Sequence, residues 1–130
     1  MNGLRISCGS HVLVHDAARP FITAELCKKL MKNALVHGAS VPLLACSDSL
    51  KRVASGKMIC ADRNEYLRTQ TPQAFEKTPL IESITSYGFD GTDEAAAWIA
   101  SGRNISRTDG LESNFKITTQ FDWETALSMA

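Results

Sequence analysis

The stretch that most constrains this chain is Val12 to Pro20, VLVHDAARP. Val12, Leu13 and Val14 form a short apolar run that Pro20 helps to close, the pattern of a buried strand. Such a run is expected as a central strand of a parallel sheet. His15, Asp16 and Arg19 follow it at once. In open α/β sheets ligands bind just beyond the carboxyl ends of the strands, so Asp16 and Arg19 stand where a ligand would be met. Arg19 suits a phosphate, and Asp16 a metal ion or a hydroxyl. The plainer alternative is that the two side chains pair with each other at the strand end.

After Pro20 the period changes. Thr23 is an N-cap, Glu25 lies in the first turn, and Leu26, Leu30, Met31, Ala34 and Leu35 recur at helical spacing until Gly38. Lys28, Lys29 and Lys32 mark the solvated face. Ser40 to Cys46 is a second strand, with Pro42 expected near its start, and strand, helix and strand make a right-handed βαβ unit. Residues 47–64 read as a charged β-hairpin with a three- to five-residue loop around Ala54-Ser55-Gly56-Lys57. Because it carries Asp48, Lys51, Arg52, Asp62 and Arg63, it is expected to protrude as an arm and to pack on something else.

Thr71-Pro72 forces an extended or turning backbone, with Gln73 and Phe75 expected in a helix or turn. Thr78-Pro79 offers an N-cap and a proline at the first helical position, for a helix running to about Gly88. Thr92 caps the next helix, with Asp93 and Glu94 in its first turn. Ile105 to Thr108 is a short strand, Asp109-Gly110 a turn, and Thr119 caps a last helix whose apolar positions are Phe121, Ala126 and Leu127. The 130 residues make one α/β unit with an arm, and no internal repeat or linker divides them.

Net charge is zero, which removes the basic excess that non-specific binding to nucleic acid or a membrane surface needs. No apolar run approaches the ~20 residues of a membrane span, and MNGLRISCGS lacks the apolar core of a secretory signal. The four cysteines are scattered without close ligand pairs, so they read as small hydrophobes, Cys27 and Cys46 buried, in a reducing compartment. A cytoplasmic protein is expected.

HDAARP, then SDSLKR, DRN, TQTPQAF, TDEA and NFKIT, in that order, resemble the 2-C-methyl-D-erythritol 4-phosphate cytidylyltransferase family over nearly the whole chain. The resemblance implies an α/β, Rossmann-like nucleotide-diphospho-sugar transferase fold, here a partial sheet with a protruding arm. It also implies cytidylyl transfer from CTP to methylerythritol phosphate in the non-mevalonate isoprenoid precursor pathway. Ribitol 5-phosphate cytidylyltransferases share most of these motifs and are the alternative within the same chemistry. A non-catalytic dimerising remnant is the alternative outside it.

By that resemblance Asp16 would meet a substrate hydroxyl or Mg²⁺. Arg19, Ser49, Thr71 and Thr92 would bind substrate, Thr92 in addition to capping its helix. Arg63 would reach across a homodimer, joined through the arm, to the substrate phosphate, and Lys116 would sit near the joining phosphates. Asp16, Arg63 and Lys116 are the implied catalytic residues. The family opens with a glycine-rich loop that cradles the nucleotide triphosphate, and none precedes Val12. The chain is therefore expected to be the C-terminal part of such an enzyme, inactive by itself.

Overall fold

The computed structural model describes residues 2–87 and 93–130. A short helix, α1 (Asn2–Ile6), precedes strand β1 (His11–Val14), and α2 (Ala24–His37) leads into β2 (Ala39–Ala45). A hairpin follows, β3 (Leu50–Ala54) and β4 (Lys57–Ala61), then a 3-10 turn at Arg63–Glu65 and two short strands, β5 (Leu67–Thr69) and β6 (Gln73–Glu76). The remainder is α3 (Lys77–Tyr87), α4 (Glu94–Ala100), β7 (Ser106–Asp109) and α5 (Gln120–Met129).

The sheet is built on β2. One edge takes β7 in parallel, from Ser40 opposite Ser106 to Leu43 opposite Asp109. The other edge is shared by two antiparallel partners, β6 at Ala39 and Ser40 and β5 from Leu43 to Ala45. β1 pairs with β6, antiparallel, from His11 opposite Glu76 to Val14 opposite Gln73. Among the described residues β1 is thus the last strand on its side of a mixed sheet, not the central strand of a parallel one. β1 and β2 point the same way, as the strand–helix–strand pattern requires, but β6 lies between them. Gln73, Ala74 and Phe75, expected in a helix or turn, form that inserted strand, and all three are buried. With partners on both edges and helices on both faces, β6 has no solvent side.

Each face has its own core. Val12, Val41 and Phe75 pack against Leu80 and Ile84 of α3 and Ala95 and Trp98 of α4. On the opposite face Ala74 meets Leu26, Leu30 and Ala34 of α2. Burying a residue such as Phe75 or Leu30 contributes about 1.5–3 kcal/mol each. Thr23 caps α2 with its side chain on the Leu26 amide, and Gly38 closes it at φ 82°. A Cβ at Gly38 would also come within 3.2 Å of the Trp98 ring, so this turn needs glycine twice over. Leu35, placed by its spacing on the buried stripe, is instead exposed. Cys27 and Cys46 are half-buried rather than enclosed.

Pro42 lies in the middle of β2, not near its start, and is fully buried. Its carbonyl accepts from the Gln70 amide at 2.9 Å. In a strand the N and O of one residue face the same edge, so the missing N–H of Pro42 falls in the break between β5 and β6. No ladder bond is lost there.

The arm forms a separate two-stranded sheet. Its turn is the two residues Ser55 and Gly56, at φ 51° and 74°, rather than three to five. Positive φ at both positions matches the right-handed twist of a tight hairpin. Val53 and Met58 face each other across it and remain about three-quarters exposed.

Two helix starts differ from expectation and a third matches it. α3 begins at Lys77, directly after β6, so Thr78 and Pro79 lie inside its first turn, where an absent N–H costs nothing. Asp93 is the N-cap of α4, its side chain accepting from the Ala96 amide; Thr92 lies outside the described residues. α5 has the expected Thr119 cap, completed by Asp122 into a capping box. Of its expected apolar positions only Ala126 is buried, while Phe121 and Leu127 are exposed.

Candidate functional site

The loop after β1, the turn between β5 and β6, and the segment after β7 converge at one end of the sheet. The Lys116 ammonium lies 2.9 Å from Asp16 Oδ2, and Arg19 Nε lies 3.9 Å from the same oxygen. The Asp16 amide donates to Thr71 Oγ1 at 2.9 Å. Four of the residues singled out in the sequence, Asp16, Arg19, Thr71 and Lys116, are therefore brought together from three segments. Arg19 and Asp16 do pair, but at 3.9 Å the contact is too long for a hydrogen bond, and Arg19 Nε is buried with no hydrogen-bond partner among the described residues. Arg19 Nη1 donates to the Asn114 carbonyl at 2.9 Å. Burial lowers the Arg19 guanidinium from its ordinary pKa, against the opposing pull of Asp16. Two cations on one carboxylate, at the edge of solvent, are ready to receive an anionic group.

Behind these charges lies a layer of buried amides. Asn114, fully buried, donates from Nδ2 to the Thr71 carbonyl at 2.8 Å. Gln70 donates to the carbonyls of Leu111 and Asn114 at 2.8 and 3.1 Å and accepts from the Leu111 amide at 3.1 Å. The Ile117 amide donates to the Ala18 carbonyl, which docks the Lys116 segment on the Asp16 loop. Phe21 and Phe115 stack beside that junction with ring centroids 5.6 Å apart. Gln73 makes a similar tie, to the Asp93 carboxylate and the Ala95 amide. His15 bridges the Arg19 carbonyl and Thr71 Oγ1. None of these amides, nor His15, was assigned a role from sequence. The one available signal was their position inside the quoted motifs, where a polar side chain beside Pro72 or Phe115 has few ways to reach water.

Ser49 and Arg63 sit apart from the cluster, on the approaches to the arm. Ser49 is exposed just before β3. Arg63 is exposed in the 3-10 turn and donates to the Ser47 carbonyl at 2.6 Å. Thr92, expected at the substrate, lies outside the described residues.

Asp16 does not fit a resident Mg²⁺ by itself. Among the described residues no group of three His, Cys, Asp or Glu could hold a metal ion, and Asp16 Oδ2 already faces Lys116 and Arg19. A separate groove of about 790 Å³ runs along the edge of β1 that no described strand pairs with, lined by Leu4, Val12, Leu13, Val14 and Ile84. Its lining lacks the Asp16 carboxylate and the Arg19 and Lys116 cations; of the residues around the cluster, His15 reaches it. None of the described helices is long and apolar enough to cross a membrane.

The chain spans 30% of the bifunctional enzyme IspD/IspF of Maricaulis maris, to which 88% of it aligns at 37% identity. It spans 56% of the 2-C-methyl-D-erythritol 4-phosphate cytidylyltransferase of Bacillus cereus, with 93% aligned at 33% identity. The solved 2-C-methyl-D-erythritol 4-phosphate cytidylyltransferase of Thermus thermophilus superposes on 97% of the chain, with TM-score 0.87 and 30% identity, and 64% of that enzyme is covered. The solved 4-diphosphocytidyl-2C-methyl-D-erythritol synthase of Anaerococcus prevotii gives TM-score 0.88 at 28% identity, with 98% of the chain and 63% of that enzyme matched. The fold is thus the nucleotidyltransferase fold of these enzymes. The family model described as IspD: 2-C-methyl-D-erythritol 4-phosphate cytidylyltransferase matches residues 1–129, and the chain belongs to that family.

Proposed function

We propose that Asp16, Arg19, Thr71 and Lys116 are the acceptor half of a cytidylyl-transfer site, built to hold 2-C-methyl-D-erythritol 4-phosphate. The observation that carries this reading is the convergence of Lys116 and Arg19 on one oxygen of Asp16. The phosphate of the sugar alcohol attacks the α-phosphorus of CTP. A new P–O bond forms, the bond from the α-phosphorus to the bridging oxygen breaks, and pyrophosphate leaves with that electron pair. A phosphate monoester is already a nucleophile, so no general base or covalent intermediate is required. The protein's task is to bring two polyanions together and neutralise charge as it builds.

In this reading Lys116 and Arg19 hold the attacking phosphate, Asp16 orients Lys116 and accepts from a substrate hydroxyl, and Thr71 contacts the alcohol. Arg63 and Ser49 act from the arm, Arg63 on the phosphate bound by a second subunit. The exposed Val53 and Met58 support a homodimer joined through that arm. Mg²⁺ enters as the counter-ion of the triphosphate, not as an ion caged by this chain. The four free cysteines suit the cytoplasm.

Calorimetric titration with methylerythritol phosphate, alone and then with CTP and Mg²⁺, tests the reading. Binding of the sugar phosphate is expected, weakened at least about tenfold in Lys116→Ala, since a charge-assisted bond is worth about 1.5–3 kcal/mol. No binding, or binding indifferent to Lys116, would overturn it.

A further inference from the structure

We infer that His15 is a positioning residue that fixes the polarity of the Thr71 hydroxyl, so that Thr71 meets the acceptor substrate as a hydrogen-bond acceptor. The inference rests on the acceptor-site reading above and adds a specificity element to it.

The proton positions follow from the partners. His15 Nε2 lies 3.0 Å from the Arg19 carbonyl, which can only accept, so Nε2 carries the hydrogen. In the neutral ring Nδ1 is then bare, and it lies 3.1 Å from Thr71 Oγ1. Thr71 must donate to it. The same oxygen accepts from the Asp16 amide at 2.9 Å. A hydroxyl has one hydrogen and two lone pairs, so the hydrogen and one lone pair are committed and one lone pair remains. A group meeting Thr71 must donate, which a hydroxyl of a polyol phosphate does and a fully ionised phosphate oxygen does not. The alcohol is thereby directed to Thr71 and the phosphate to Lys116 and Arg19. His15 needs no contact with substrate to do this. It acts through Thr71 and, at its other nitrogen, by closing the turn from His15 to Arg19.

The two ring nitrogens separate this role from a purely structural one. An asparagine side chain places its amide oxygen near the position of Nδ1, while a glutamine reaches the position of Nε2. If polarity at Thr71 is what matters, His15→Ala should weaken methylerythritol phosphate about fivefold, one net hydrogen bond. His15→Asn should restore most of that loss and His15→Gln little. His15→Ala combined with Thr71→Val should be no weaker than Thr71→Val alone. Inorganic phosphate, followed by NMR shifts, should bind the wild-type chain and His15→Ala alike. Restoration by glutamine rather than asparagine, or additive losses, would overturn the inference.

A ligand-free measurement decides it independently. Nitrogen-15 NMR of the neutral imidazole should show hydrogen on Nε2 and a bare Nδ1 whose shift changes in Thr71→Val. Hydrogen on Nδ1 would refute the assignment. If the wild-type chain binds no methylerythritol phosphate, the acceptor-site reading fails, while the tautomer and its response to Thr71→Val still settle what His15 does.

Discussion

Asn114→Ala offers the sharpest test of how the site is held. Asn114 is fully buried, and its Nδ2 supplies the Thr71 carbonyl with a hydrogen at 2.8 Å. Truncation leaves that carbonyl without its side-chain donor, a cost of about 1–3 kcal/mol. Part of this is returned, because Asn114 Oδ1 is itself buried without a partner, and deleting it relieves a desolvation penalty on the order of 1 kcal/mol. The small polar hole left behind is also one that water can enter. The net expectation is a loss of about 1–2 kcal/mol. At roughly 2.1 cal/mol/K per residue, a chain of 130 residues should then melt about 4–7 °C lower. Asn114→Asp should cost more, about 3 kcal/mol, since it sets a buried carboxylate against a carbonyl. Urea denaturation followed by circular dichroism, with the slope checked for constancy, measures both. Ser113→Ala, on the exposed neighbour, should lie within about 0.5 kcal/mol of the parent. If Asn114→Ala does the same, the buried amide does not hold the site together, and the reasoning fails.

Gly110→Ala should destabilise by about 1–3 kcal/mol through overpacking, because its Cβ would meet Gln70 Oε1 at 2.6 Å and Leu44 Cγ at 3.1 Å; an unchanged urea midpoint would contradict it. The Asp122 carboxyl, held by the amide and hydroxyl of Thr118 and then by Thr119, is lowered from 3.8 to about 2. Its folded pKa is depressed, so the cap on α5 persists above the ordinary value and is lost as pH falls through about 2; a carboxylate NMR midpoint near 4 would refute this.

What could be read from sequence was whatever depends on near neighbours. The Thr23 and Thr119 caps, the Gly38 stop and the place of the arm's turn, though not its two-residue length, each follow from one or two residues and their φ preferences. β6 was misjudged because Gln73-Ala-Phe follows a proline and precedes a helix, so its local pattern points away from a strand. Its extended form is imposed by β1 and β2, which lie far from it in sequence. The end position of β1 was hidden for a related reason: an apolar triplet reports burial but not which strands flank it. The same division holds in the site. Asp16, Arg19, Thr71 and Lys116 were legible as motif residues, whereas the roles of Gln70 and Asn114 depend on bonds spanning more than 40 residues.

This division of labour bears on how the site can bind an anion at all. Lys116 and Asp16 keep 45% and 33% of their side-chain surface in contact with water, so their ion pair contributes little to folding. What positions them is the uncharged layer beneath, in which Asn114, Gln70 and the Ile117 amide tie the Lys116 segment to the Asp16 loop and the Thr71 turn. In the proposed reading, a substrate phosphate therefore draws Lys116 away from Asp16 without loosening the segments that carry them. Had the charges themselves held these loops together, binding would have had to break the structure that presents them. Arg19 is the intermediate case, since its Nη1 is committed to the Asn114 carbonyl while its Nε is left unpartnered. Its head is thus fixed in place by one nitrogen and still short of a partner at another, which in the proposed reading keeps it rigid before the phosphate arrives and free to bond it afterwards.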